Sequence, residues 1–272
     1  MKFELRPWIR TMKARALVRI LSQFGEPLWI VVNVGFPIFS SVALALLYES
    51  AGLSGYTGFA ILGGIMISFW GNVLWSMASQ FNWDKQEGLF EIYLTSPCSI
   101  TAILIGMSVG GIVGTAPSAV MVAIVGWLFF HPAVLASSWV AVVLTFSLTL
   151  ASLYCMGMLL SSLYLAYGRA AESLNNALQE PVSMLSGVYF PSIGQLSPFP
   201  FGIQVAASLI PLTLGMDALR RTLFFSQGVS SVSIELIALA VMAIMLLVAS
   251  SVALKALENK GRREGTISVR IR

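Results

Sequence analysis

The chain has 272 residues, of which 57% are hydrophobic and 10% charged, and its mean hydropathy is +0.84. That apolar share exceeds the about 45–50% of ordinary globular proteins and excludes a soluble domain as the whole molecule. The net charge of +4 comes without a basic patch interleaved with aromatics, which argues against nucleic acid as a partner and suits anionic lipid headgroups instead.

Residues 5–24, LRPWIRTMKARALVRILSQF, predict an amphipathic helix. Leu5, Trp8, Ile9, Met12, Ala16 and Ile20 share one side at helical spacing, with Arg6, Arg10 and Lys13 beside them. Arg15 and Arg19 interrupt the pattern, although long cationic stems can snorkel. Such a helix lies in the membrane interface. Residues 1–26 therefore read as an interfacial cytoplasmic segment, and the plainer alternative is a basic leader before the first span. The segment is too long and too charged for the n-region of a cleavable signal.

Six stretches then reach the about 20 apolar residues that a spanning helix needs: 27–48, 57–80, 101–130, 138–163, 172–190 and 231–254. The predicted fold is all-α, a polytopic membrane protein with six transmembrane helices within 27–254. The third stretch is longer than a straight span requires, so it tilts or extends past the bilayer. Its Gly106, Gly110 and Gly114 have the small-xxx-small spacing that permits close helix packing. Of the 16 Lys+Arg, six precede the first span and six follow the last, while Lys85 and Arg169 fall in the loops after the second and fourth. Only Arg220 and Arg221 fall on the other side. This asymmetry predicts that both termini, including the basic tail 255–272, are cytoplasmic.

Between the second and third spans lies a charged island, WDKQEGLFEIYLTSP, residues 83–97. Asp84 with Glu87 three residues later has the form of a capping box, and a helix usually stops before a proline such as Pro97. The expectation is a short helix over 84–97 outside the bilayer, with Glu87 and Glu91 on one face and Leu89, Phe90, Tyr93 and Leu94 forming an apolar surface. It is either a docking knob for a basic-rimmed groove or a solvated loop helix resting on the membrane.

The fifth stretch carries a polar stripe. Glu172, Asn175, Asn176, Gln179, Glu180 and Ser183 fall on one helical face. A carboxylate as deep as Glu180 must face the bundle interior or water. The stripe either lines a substrate path or a seam between two copies, or packs within one bundle. After it, residues 191–228 are too apolar for a solvated loop and are broken by Pro198, Pro200 and Pro211, which predicts short helices that dip into the outer leaflet and return. His131, before Pro132, reads as a turn residue. No Cys/His cluster has metal-ligand spacing, no catalytic set is visible, and Cys98 and Cys155 are not expected to pair on the reducing side of a membrane.

Two runs resemble a known family. EGLFEIYLTSP is similar to the coupling-helix signature of ATP-binding-cassette (ABC) transporter permeases of the type-2 exporter class, with Glu87, Gly88, Glu91, Leu94 and Pro97 matching, Leu89 in place of the usual Thr and Ser96 where Thr is common. Residues 186–220 resemble a second family pattern through Ser186, Gly187, Phe190, Pro191, Pro211, Leu212, Thr213, Asp217 and Arg220, with Ile210 where Asn is common. The resemblance runs in span order over essentially the whole chain. It implies a bacterial or archaeal plasma-membrane permease that works with a second permease copy or paralogue and two cassette ATPase subunits. The segment Asp84, Lys85, Glu87, Gly88, Phe90, Glu91, Leu94 and Pro97 would then dock into the ATPase. Pro191, Pro198, Pro211, Thr213, Asp217 and Arg220 would belong to the outer re-entrant helices. Independently of the resemblance, the stripe residues Asn175, Asn176, Gln179, Glu180 and Ser183 are the candidates for a substrate path or dimer seam, against packing within one bundle.

The chain has no phosphate-binding loop, so ATP and Mg are expected on the partner ATPase and no cofactor on this chain, which is not itself an enzyme. The family exports hydrophobic drugs, lipids and lipid-linked glycans. A rival reading is an ion-coupled secondary transporter using Glu180, although the repeated halves usual in such proteins are not apparent. An assembly protein that needs no motor is a third.

Overall fold

The computed structural model describes residues 5–25, 27–89, 92–93, 99–167, 170–193 and 197–264. The helices are α1 (Leu5–Gly25), α2 (Pro27–Ser50), α3 (Thr57–Gly71), α4 (Ser79–Gln86), α5 (Ile100–Phe130), α6 (Trp139–Tyr167), α7 (Ala170–Leu185), α8 (Phe201–Ser208), α9 (Pro211–Phe224) and α10 (Ser233–Glu264). A π-helical segment, Asn72–Ala78, joins α3 to α4, so that Thr57–Gln86 forms one long rod. No strand occurs among the described residues. The protein is an all-helical, multi-pass membrane protein, as the composition predicts.

Among the described residues, five helices are long and apolar enough to cross a membrane, Ile30–Ser50, Ser54–Phe81, Ile100–Phe130, Trp139–Tyr164 and Ser233–Leu257, or six if the bent pair Phe201–Ser208 and Pro211–Phe224 is one broken span. The five coincide with five of the six expected spans. The second is the axis of the bundle, with 78% of its apolar window buried, against 17% for the first and last, which face outward. Its inward residues Leu62, Met66, Phe69, Val73, Met77 and Phe81 recur at three- and four-residue steps and meet Leu104 and Met107 of α5, Leu153 and Met158 of α6, and Leu212 and Met216 of α9.

The sixth expected span, 172–190, takes a different form. Its helix α7 has 16 residues, about 24 Å at 1.5 Å per residue, and ends at Leu185 in a string of turns and bends over 186–190. Polar residues at the stripe positions dilute the apolar run, and the Ser186-Gly187 turn stops it short. Beyond, α8 and α9 meet at 101°, the sharply bent pair expected between the last two spans. Pro211 starts α9 at a position where its missing N–H costs nothing. At the end of α5, His131 adopts a left-handed conformation (φ 43°) and its N–H bonds to the Trp127 carbonyl, so it is the turn residue expected.

The glycines of α5 receive α1. A Cβ on Gly106 would lie 2.5 Å from the Met12 carbonyl oxygen, and one on Gly110 2.8 Å from that of Ala16. Apolar side chains gain little by leaving lipid for one another, so close backbone approach of this kind is a main source of helix attraction in a membrane. The stripe Trp8, Ile9, Met12, Ala16 and Ile20 is the half-buried side of α1, while Leu17, Val18, Leu21 and Phe24 are exposed.

Candidate functional site

Two sites emerge, one at the end of the rod and one beside its middle. At the end, Asp84 is only 1% exposed. Its Oδ2 accepts from Arg15 Nη2 at 2.8 Å and from the Tyr93 hydroxyl at 3.0 Å, and its Oδ1 accepts from Gln80 Nε2 at 2.7 Å. Arg19 Nη1 donates to Gln80 Oε1 at 3.0 Å, and the Arg15 guanidinium lies 5.5 Å from the centre of the Tyr93 ring. Burial and the nearby Asp84 charge push the Tyr93 phenol up to about 12, so it remains a hydrogen-bond donor at neutral pH. Burial, and then the neighbouring Arg15, lower Arg19 to about 10, where it still carries its charge.

This geometry corrects the capping expectation. Asp84 starts no new helix: α4 runs through it to Gln86, and the Glu87 N–H bonds to the Trp83 carbonyl. Gly88, at φ +79°, then turns the chain. A carboxylate at a helix C-terminus opposes the helix dipole, and the Arg15 charge offsets that here. Arg15 and Arg19, which interrupt the α1 pattern, turn inward to Asp84 and Gln80. Glu87 and Gly88 are exposed, whereas Phe90, Glu91, Leu94, Pro97 and Cys98 lie outside the described residues, as do the side chains of Lys85 and Glu172.

Beside the middle of the rod, the polar stripe of α7 divides. Asn175 is fully buried, and its Nδ2 donates to Ser79 Oγ at 2.6 Å. Gln179 Oε1 accepts from Trp75 Nε1 at 2.5 Å, and its carbonyl accepts from Trp70 Nε1 at 3.4 Å and from the Ser183 hydroxyl at 2.7 Å. These bonds fasten α7 to the rod. Asn176 and Glu180 are exposed and, with Gln179 and Ser183, line a cavity of about 500 Å³ whose other walls are Asn33 and Phe36 of α2 and Ser68, Trp70 and Trp75 of the rod. The stripe therefore combines both arrangements, packing at Asn175 and an open wall at Glu180.

At the far end of the rod, Arg220 is buried. Its guanidinium donates to the Gly187 carbonyl and stands 4.9 Å from the centre of the Phe59 ring. Asp217 pairs with Arg221 at 2.8 Å, and Arg221 reaches Glu235 of α10 at the same distance. Thr213 is buried, Pro191 is half-buried and Pro198 is exposed. Both cations on this side are thus held within the fold, binding the bent pair α8–α9 to α10 and to the turn after α7.

The order of these parts matches a known membrane family. A model of the ABC-2 type transporter family covers residues 12–224, from α1 through α9. This chain belongs to that family. The permease is thus the membrane component of an ABC transporter, a class that works with an ATPase partner and is generally not catalytic itself. A search of curated proteins finds none that matches the permease. The matched region holds the Asp84 junction, the α7 stripe and the bent pair, and excludes α10.

Several site residues are invisible to a sequence reading of the permease. Trp70 and Trp75 look like ordinary core aromatics, and only their bonds to Gln179 reveal a second task. Arg15 and Arg19 carry a faint signal, two cations four residues apart on an otherwise apolar face.

Proposed function

We propose that this permease is the transmembrane half of an ATP-driven exporter, moving a hydrophobic or amphiphilic substrate out of the cytoplasm. Two cassette ATPase subunits, which hold ATP and Mg, drive a pair of permeases, the second being another copy or a paralogue. Both termini face the cytoplasm, in the plasma membrane.

The observation that supports this reading is the Asp84 junction. Tyr93, in the segment that resembles the coupling helix, reaches the same carboxylate that holds Arg15 of α1 and Gln80 of the rod. A displacement of that segment by the ATPase would pull on the rod directly. From there Ser79 and Trp75 lead to Asn175 and Gln179 of α7 and so to the cavity wall. Two elements gripped by the same short polar contacts move together, which makes this a mechanical route with a stated start and end.

The test uses Asp84→Asn in vesicles containing permease and ATPase. The variant keeps the shape of the side chain and removes its charge. The expected outcome is that the complex still assembles and hydrolyses ATP, while ATP-dependent export falls by at least about tenfold, since a charged hydrogen bond is worth about 1.5–3 kcal/mol. Glu87→Lys combined with Glu91→Lys should instead prevent assembly. Unchanged export in Asp84→Asn would overturn the transmission role. Export by the permease without any ATPase would favour the ion-coupled alternative.

A further inference from the structure

The cavity beside α7 carries information about what it receives. Its volume, about 500 Å³, falls within the about 300–1,000 Å³ of small-molecule sites. It lies beside Ile67 and Ser68, near the middle of the Ser54–Phe81 span, and is bordered on α2 by Val32 and Phe36, both more than half exposed. It therefore opens at membrane depth, toward the lipid-facing side of α2.

The indole and hydroxyl donors on its walls are engaged elsewhere in the protein, and Asn33, Asn176 and Gln179 add neutral amides to the lining. The indole N–H groups of Trp70 and Trp75 both serve Gln179. The Ser68 hydroxyl donates to the Gly64 carbonyl, and that of Ser183 to the Gln179 carbonyl. The Tyr189 hydroxyl donates to Glu180 Oε2 at 3.2 Å. Among the described residues, no Lys, Arg or His lines the cavity. The one carboxylate on its wall is Glu180, which has no ion-pair partner among the described residues. A phosphate or carboxylate entering here would meet no opposite charge and an existing negative one. A cation would meet a carboxylate beside the half-buried aromatic side chains Trp75 and Tyr189, rings of a kind whose π-systems attract positive charge.

We infer that the cavity between α2, the rod and α7 binds a lipophilic organic cation, with Glu180 as its counter-ion and the aromatic walls holding its apolar body. This rests on the export reading and narrows it: a cationic amphiphile is the substrate class, and an anionic lipid-linked glycan is excluded from this site. Intramembrane carboxylates that face a cavity mark substrate or ion pathways, and Glu180 is the one carboxylate among the described residues of the wall, which makes a single positive charge its complement.

The test measures binding to the purified full-length permease in lipid nanodiscs, without ATPase or ATP. The probe is radiolabelled tetraphenylphosphonium, and the control is tetraphenylborate, of the same shape and opposite charge. Wild type should bind the cation saturably, Glu180→Gln should bind it at least about tenfold more weakly, and Glu180→Asp should retain part of the affinity. Tetraphenylborate should not compete. The unfolding midpoint of Glu180→Gln reports that the variant is folded.

Equal binding by wild type and Glu180→Gln, no saturable binding by wild type, or competition by tetraphenylborate would each overturn the site. So would intact cation binding by Glu180→Cys, because that variant has no carboxylate to serve as the counter-ion. The export reading is scored separately. Cation binding without ATP-driven transport in the complete complex leaves the site standing and removes export. ATP-driven transport that is indifferent to Glu180→Gln does the reverse.

Discussion

Two carboxylates of this protein live in opposite circumstances. Asp84 is almost inaccessible and accepts three side-chain hydrogen bonds, one of them from an ion-paired arginine. Glu180 is exposed on a cavity wall and accepts one, from a tyrosine. The first is saturated by its own chain, so its work is to hold elements together. The second keeps open lone pairs and has no ion-pair partner among the described residues, which is what suits it to the ligand proposed for the cavity. Charge alone, read from the sequence, makes the two equivalent. Their partners separate them.

The largest break in this contrast should come from Arg15→Ala. It strands Asp84 without a counter-charge, and breaking a buried pair costs about 3–5 kcal/mol. Because Arg15 is 17% exposed, the lower end is expected, read as a lowered midpoint in denaturant unfolding. The double variant Arg15→Met, Asp84→Leu should recover most of that loss, since a packed apolar pair can replace an ion pair. A single-variant loss near zero would mean that water reaches the junction freely.

Tyr93→Phe should have a smaller effect, about 1.5 kcal/mol, from the loss of one hydrogen bond to a charged acceptor. It also carries a pH signature. The folded-state phenol titrates at about 12, above its ordinary value of 10.0. The folded protein therefore holds the proton that the unfolded chain releases, and stability falls as pH rises from 10 toward 12. Tyr93→Phe should flatten that fall, measured as unfolding midpoint against pH.

The smallest change should be Glu180→Gln, within about 0.5 kcal/mol, as for an exposed side chain away from core packing. A large loss there would erase the distinction between the two carboxylates and make Glu180 a structural residue.

Much of the architecture was legible because lipid imposes a length rule. Five apolar runs became five long helices with ends within a few residues of the expected ones. The run at 172–190 is the instructive departure. Its stripe at Asn175, Asn176, Gln179, Glu180 and Ser183 was readable from the helical period, yet those same residues, with the turn at Gly187, leave a helix of 16 residues. At the junction, Asp84 and Glu87 spell a helix start in the local code. The rod overrides that code, because α4 continues from the span above and Arg15, 69 residues away, supplies the charge. Local patterns do not report partners at such separations. For the same reason Trp75 gave no hint of Gln179, 104 residues on.

The π-helical stretch at Asn72–Ala78 has a consequence for the cavity. Residues five apart on a regular α-helix diverge by about 140° around its axis, at 3.6 residues per turn. Trp70 and Trp75 are five apart, yet both indoles reach the single residue Gln179. The wider winding, with its i→i+5 repeat, folds that sequence distance onto one azimuth. The same residues wound as a regular α-helix would send the two rings to different sides of the bundle, and the chamber would lose an aromatic wall without any change to the residues that form it.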